Sequence, residues 1–366
     1  MRNKNIDIIK GIGIILIVAG HALSPYSIWF SSWFVQIFFI ASGYLYNEQY
    51  SVAWGVKRLF LKRVSRLYVP WLITGSIFTF LNNLLIKINI LTDNPLFLNA
   101  AEGNSYGLDR IYTLKGLLIM LRKVVLFQSA PKISGAIWFL ATLFFVEIIY
   151  VVIEFICKKI FSAQIGLVMD GVSLIIYGIS VSVTLHGWSD QFGYRWNIVG
   201  LSIFMFHIGR KLKTYEQSLE HENPIFVCSL MLTMMFLFIR LGVGRVNYAR
   251  GDIKSGGYLF LYSMMGWFFL YAVSQMLSER ESLLQDIILY IGKHSMPILL
   301  MHQISFKIVT MIQIILYKKP GYMLGSFPVL YKDYGWWIIY SVVGVCVPLL
   351  VYSVTRKIIG KNEEIK

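Results

Sequence analysis

Residues 6–24 read IDIIKGIGIILIVAGHALS, a nearly unbroken aliphatic run that carries three ionisable side chains, Asp7, Lys10 and His21. A hydrocarbon layer about 30 Å thick is crossed by about 20 helical residues, so this run is expected to be a transmembrane helix. Runs of the same kind recur at 28–46, 68–90, 136–157, 165–185, 196–212, 224–241, 256–276, 296–316 and 335–357. Together they predict an all-α, polytopic membrane bundle of about ten crossings. Composition agrees: 57% of the 366 residues are hydrophobic and 14% charged, more apolar surface than a soluble core hides. The formal charge of +15 sits between the apolar runs, without a nucleic-acid-binding motif. Nucleic acid is therefore excluded as a partner, and membrane lipid is the expected surroundings. Cys157, Cys228 and Cys346 lie apart without a C-x-x-C pair, which excludes a disulfide framework and a cysteine zinc site. The first run leads straight into the second with no small-residue cleavage site, so it is expected to remain as a helix.

Counting crossings puts both termini and the 47–67 loop on one side, together with Lys57, Arg58, Lys62, Arg63, Arg66, Lys158, Lys159, Arg356 and Lys357. By the positive-inside rule that side is the cytoplasm, although Arg240, Arg245, Arg250, Lys254, Lys318 and Lys319 fall on the other. The stretch 91–135 is expected to be an outer interfacial loop with an amphipathic segment around Lys115, Arg122 and Lys123. Residues 1–366 read as a single membrane domain with no internal repeat and no appended soluble domain. Any chemistry belongs to the membrane helices themselves.

Ionisable residues inside apolar spans are functional candidates by default. At about 100° per residue, the eleven steps from Lys10 to His21 return to within about 20° of one direction, with Asp7 within about 60° of both. The three therefore share a stripe, with Lys10 and His21 about 16 Å apart along the axis. Asp7 and Lys10, three apart, can pair within the helix and leave His21 for other work. The plain alternative makes Asp7 and Lys10 end charges and His21 a satisfied interfacial residue. Gly11, Gly13 and Gly20 allow another backbone or a substrate to approach the same helix closely.

Arg58, Lys62 and Arg66 fall at i, i+4 and i+8, with Arg63 beside them. A helix there presents a cationic ridge able to clamp phosphates, or to touch anionic headgroups. Glu147 and Glu154, seven apart, face nearly one direction, and a carboxylate as deep as Glu147 should pair with a cation or a histidine. Trp138 reads on its own as an interfacial anchor. Ser295 and His302 share a face if their helix survives Pro297. His207 and Arg210 form an interfacial polar cluster, while His186, His221 and His294 read as loop or interface residues. None of the 6 histidines has zincin spacing, no metal is expected, and no G-x-S-x-G, Walker A or Rossmann fingerprint occurs.

Asp7-x-x-Lys10-Gly11, with ten residues between Lys10 and His21, resembles the Arg/Lys-x10-His signature of the acyltransferase 3 family of membrane acyltransferases. Phe38-Phe39-Ile40-Ala41-Ser42-Gly43-Tyr44 is similar to the end of that family's second helix. Lys62-Arg63-Val64-Ser65-Arg66-Leu67-Tyr68-Val69-Pro70 is similar to its R-R-x-x-R motif followed by proline, with Lys62 replacing the first arginine. That replacement is not neutral where a phosphate is gripped by two donors at once. Trp138-Phe139-Leu140 and Ser295-Met296-Pro297-Ile298-Leu299-Leu300-Met301-His302 continue the series in order.

The resemblance implies a ten-helix bundle of the bacterial cytoplasmic membrane that moves an acyl group, often acetyl, from cytosolic acyl-CoA to a hydroxyl of an extracytoplasmic or lipid-linked glycan. It implies no tightly bound cofactor. His21 becomes the catalytic base or acyl carrier, Lys10 the group that stabilises negative charge or holds the donor, and Asp7 its orienting partner. Arg58, Lys62, Arg63 and Arg66 become the acyl-CoA site, and Ser42, Tyr44, Trp138, Glu147, Ser295 and His302 the supporting or substrate-lining set. Some relatives carry a fused extracytoplasmic hydrolase-like domain; without one, direct acylation of the glycan is expected over transfer through a partner. The competing class is a secondary transporter or glycan exporter with an intramembrane proton relay. That class predicts inverted halves with broken helices in matching places, and no such symmetry is visible.

Overall fold

A computed structural model describes residues 3–95, 108–188, 194–243, 246–279 and 281–363. Among them the chain is helical, with a lone bridge between Asn247 and Asp252 as its β pairing. The helices are α1 (Lys4–His21), α2 (Gln36–Tyr44), α3 (Ala53–Arg63), α4 (Val69–Lys87), α5 (Leu114–Val125), α6 (Trp138–Ile160) and α7 (Ile165–Leu185). They continue as α8 (Trp196–Thr214), α9 (Glu216–Glu220), α10 (Pro224–Arg240), α11 (Gly256–Ser278), α12 (Leu283–Lys293), α13 (Ser295–Leu316) and α14 (Trp336–Glu363). Several starts carry local signals. Asn223 accepts from the Ile225 and Phe226 N–H groups just ahead of Pro224, and Ser255 and Thr113 cap α11 and α5 in the same way.

Among the described residues, six helices are long and apolar enough to cross a membrane: Ala53–Lys87, Lys132–Ile160, Ser162–Leu185, Gly256–Ser278, Ser295–Leu316 and Trp336–Ile358. The chain is thus an integral membrane protein. The other four expected crossings fall on shorter or more charged helices. α1 has 18 residues and carries Lys4, Asp7 and Lys10; α10 has 17; α8 has 19 and ends in Arg210, Lys211 and Lys213.

The expected crossing at 28–46 is broken. A 3-10 turn at Pro25–Trp29 and further turns precede α2, which has only 9 residues. The expected loop at 47–67 is helical instead: α3 runs through a π-helical turn at Val64–Tyr68 into α4. That turn falls on the Lys62-Arg63-x-x-Arg66 motif, and π turns inside helices recur at functional sites. Of the expected interfacial loop 91–135, residues 96–107 lie outside the described residues, as does Arg245, while α5 forms with Lys115, Arg122 and Lys123 on it.

The chain divides into two compact units. The first comprises Met1–Gly13, Ile28–Trp71 and Phe139–Leu289; the second comprises Ile14–Ser27, Leu72–Trp138 and Tyr290–Lys366. In the first, α2 packs on α8 backbone to backbone. A Cβ on Gly43 would run into the Phe206 carbonyl oxygen, and one on Gly209 into that of Ile40. Small residues at such contacts substitute for the hydrophobic drive that lipid removes. Rings of Tyr46, Tyr150 and Phe206 fill the adjoining space, with centroids 4.8–5.6 Å apart. In the second unit α13 packs along α14, where Gly344 admits Phe306 and Val18. Leu85, Ile86, Leu91, Ile133 and Phe327 form a buried cluster beside them.

Candidate functional site

His21 is the last residue of α1, and the turn that ends the helix holds it there. Leu23 adopts the left-handed conformation at φ 58°, its N–H bonds to Gly20 O at 3.1 Å, and the Ser24 N–H bonds to Ala19 O at 3.0 Å. This is the Schellman pattern, with leucine in the position that glycine usually fills. In the same unit, α13 survives Pro297 because that residue lies in the first turn, where a missing N–H breaks no helical bond. His302 therefore stands inside α13, fully buried.

The two imidazoles meet edge to edge: His21 Nδ1 lies 2.8 Å from His302 Nε2, with ring planes 6° apart and centroids 5.0 Å apart. The protons on this pair follow from its third member. His302 Nδ1 lies 2.8 Å from the Ile298 carbonyl oxygen, which can only accept, so Nδ1 carries the His302 proton. In the neutral ring Nε2 is then the lone pair, and it accepts from His21 Nδ1–H. The outcome reaches the far edge of His21, whose Nε2 holds an unshared lone pair and, among the described residues, has no hydrogen-bond partner. Such a nitrogen can take a proton from a hydroxyl or attack a carbonyl carbon.

Lys307, five residues beyond His302 in a span, is a residue that the reading of the sequence passed over. An ammonium inside an apolar run was signal enough to find it. It is buried and donates to the carbonyls of Leu324 and Ser326 at 2.9 and 2.6 Å, tying the loop after α13 back onto the helix. Gln303, next to His302, has a buried Oε1 that accepts no hydrogen bond. Ser295 opens α13, and Trp138 opens α6, half-buried.

In the first unit, Asp7 is buried and Lys10 half-buried on α1, which is helical from Lys4 to His21 without interruption. The ridge expected on 58–66 divides. Arg58 and Arg66 are exposed. Arg63 forms an ion pair through Nε with Glu147 Oε2, whose carboxylate is 2% exposed. Lys62 donates to the Tyr50 hydroxyl at 2.9 Å, and this bond holds the Tyr50 phenol below its usual pKa. Ser42 is half-buried on α2, and Tyr44 is buried against Trp267 with ring centroids 5.7 Å apart.

The polar cluster foreseen around His207 and Arg210 is larger than those two. Glu154, fully buried, binds Arg210 Nη1 at 2.6 Å, Lys158 at 3.4 Å and the Tyr46 hydroxyl at 2.6 Å. Arg210 Nη2 also reaches Glu48 at 2.7 Å, which lowers the Glu48 pKa. Asp170 accepts from His207 Nε2 at 2.7 Å, so His207 Nδ1 is the acceptor for the Tyr150 hydroxyl at 2.9 Å.

An unshared imidazole nitrogen set by a second histidine is suited to acyl transfer to a hydroxyl. The chain matches the acyltransferase 3 family, described as an acyltransferase domain, over residues 3–353. No curated protein and no solved structure matches it. With nearly its whole length covered, the chain belongs to the acyltransferase 3 family and is a membrane acyltransferase.

Proposed function

We propose that the protein is an O-acyltransferase of the bacterial cytoplasmic membrane, with about ten crossings and both termini in the cytoplasm. It transfers an acyl group, acetyl in the first instance, from cytosolic acyl-CoA to a hydroxyl of an extracytoplasmic or lipid-linked glycan. The observation that carries this reading is the hydrogen-bond chain from Ile298 through His302 to His21, which leaves His21 Nε2 as a base.

In the proposed step, His21 Nε2 takes the proton of the acceptor hydroxyl as its oxygen attacks the thioester carbonyl carbon. The new C–O bond forms, the C–S bond breaks, and the imidazolium returns the proton to the departing sulfur. Ester and free CoA are the products. Throughout, His302 keeps His21 in one tautomer, as a carboxylate does in hydrolase triads. Lys10, oriented by Asp7, is assigned to negative charge on the donor, and Arg58 and Arg66 to the CoA phosphates. Arg63, bonded to Glu147, braces α3 rather than gripping the donor.

Purified protein in nanodiscs, given radiolabelled acetyl-CoA and lipid-linked glycan, should move label to the glycan with no second protein added. His21→Ala should abolish transfer while leaving the gel-filtration profile unchanged. Undiminished transfer in that variant removes the assigned role, and label transfer that needs a second protein removes the direct route.

A further inference from the structure

At the end of α12 in the second unit lies a cavity of about 410 Å³ lined by Tyr290, His294, Tyr352, Ser353, Arg356 and Lys357. We infer that it is a binding site for a phosphate ester. Four of its residues, at 352, 353, 356 and 357, lie on one face of α14, so that helix brings a ring, a hydroxyl, a guanidinium and an ammonium to one wall. Opposite them His294 packs between two rings, 4.4 Å from Tyr290 and 5.3 Å from Tyr352 by centroid.

The end of a helix ordinarily repels an anion through its free carbonyls. Here the Tyr290 carbonyl is covered, accepting from both the N–H and Nδ1 of His294 at 3.1 and 2.9 Å. Among the described residues, His294 Nε2 is left without a hydrogen-bond partner. Among the described residues, Arg356 and Lys357 have no carboxylate partner, so their charge is open to a ligand. Two side-chain cations favour a multiply charged oxyanion over a single carboxylate, and a guanidinium grips phosphate oxygens in pairs. The volume exceeds what a phosphate alone needs, and the rings suit the organic part that a phosphate ester brings. The ester comes from one of two sources: the headgroup of an anionic phospholipid, or a soluble nucleotide phosphate.

Binding, not turnover, tests the site, so its failure is separate from any failure of the acyl-transfer reading. The full chain and an Arg356→Gln/Lys357→Gln double variant are compared in two arms. Equilibrium dialysis against labelled adenosine 3′,5′-bisphosphate, with Arg58→Ala/Arg66→Ala as the common background so that the proposed CoA site does not contribute, reads the soluble source. Native mass spectrometry after reconstitution in phosphatidylglycerol or phosphatidylcholine reads the lipid source. At least a tenfold loss in the first arm alone assigns the site to a nucleotide, and loss of retained phosphatidylglycerol in the second alone assigns it to a headgroup. Loss in both marks one site open to either. If wild type and variant behave alike in both arms, the inference is overturned. His294→Gln, milder in charge, gives the same comparison should the double variant aggregate.

Discussion

His302 sets the tautomer of His21. Because the Ile298 carbonyl claims His302 Nδ1–H, the 2.8 Å bond between the two imidazoles has one direction, and the lone pair of the pair ends on His21 Nε2. Replacing His302 by Leu removes the acceptor and lets His21 choose either tautomer. Acyl transfer should fall by about 10²-fold, the low end of what a positioned base contributes. His302→Gln offers an amide oxygen to His21 Nδ1–H and should recover part of the rate. Equal rates in the Leu and Gln variants would show that His302 acts by packing alone.

The contact of α2 with α8 rests on two glycines, each meeting a carbonyl oxygen of the other helix. Gly43→Ala or Gly209→Ala forces the helices apart and should destabilise by about 1–3 kcal/mol. Thermal melts of detergent-solubilised protein measure this. A control at Gly166, where an added Cβ meets nothing within 4 Å, should leave the melt unchanged.

Glu154 is buried and held by Arg210, so removing either partner strands a charge. Arg210→Met should cost about 3–5 kcal/mol, and Arg210→Met combined with Glu154→Gln distinctly less than the sum. A double-mutant cycle by denaturant unfolding reads the coupling; strict additivity would mean that the two side chains do not interact.

Arg63 and its neighbours separate stability from donor affinity. Arg63→Ala leaves Glu147 buried without its cation and should lower thermal stability. Arg58→Ala and Arg66→Ala, both at exposed positions, should leave the melt alone and raise the KM for acetyl-CoA several-fold. A raised KM in Arg63→Ala with an unchanged melt would return Arg63 to the donor site.

Glu48 gives a pH signature of definite sign. Its hydrogen bond to Arg210 lowers its folded pKa, so the stabilisation it adds is present above the unfolded value of about 4.3 and is lost as pH falls through the lower folded value. Its carboxylate is 68% exposed, so the effect should stay below about 1 kcal/mol. Melting curves between pH 3 and pH 6 should therefore be slightly flatter in Glu48→Gln.

Periodic apolar runs located most of the long helices: α7 occupies Ile165–Leu185, the predicted interval, and α13 begins one residue early at Ser295. Where length and hydropathy do not decide, the reading failed. Residues 28–46 are as apolar as a span, yet α2 is cut to 9 residues between turns that only the packing around Trp33 and Ser32 reveals. Glu147 was legible as a carboxylate in need of a cation. That the cation is Arg63, drawn from the ridge meant for phosphate, depends on a contact between distant helices. The stripe from Asp7 to His21 was visible from spacing, but the proton order on His21 depends on a carbonyl of α13, and no spacing encodes that.

Some 281 residues separate His21 from the histidine that completes it. At a synthesis rate of about 5–20 residues per second, the first helix waits roughly 14–56 s for its partner. During that interval an unfinished chain holds an imidazole whose tautomer nothing directs. On the proposed reading, the base is therefore completed by translation itself: the bond that orders the protons of His21 forms only after α13 has been made.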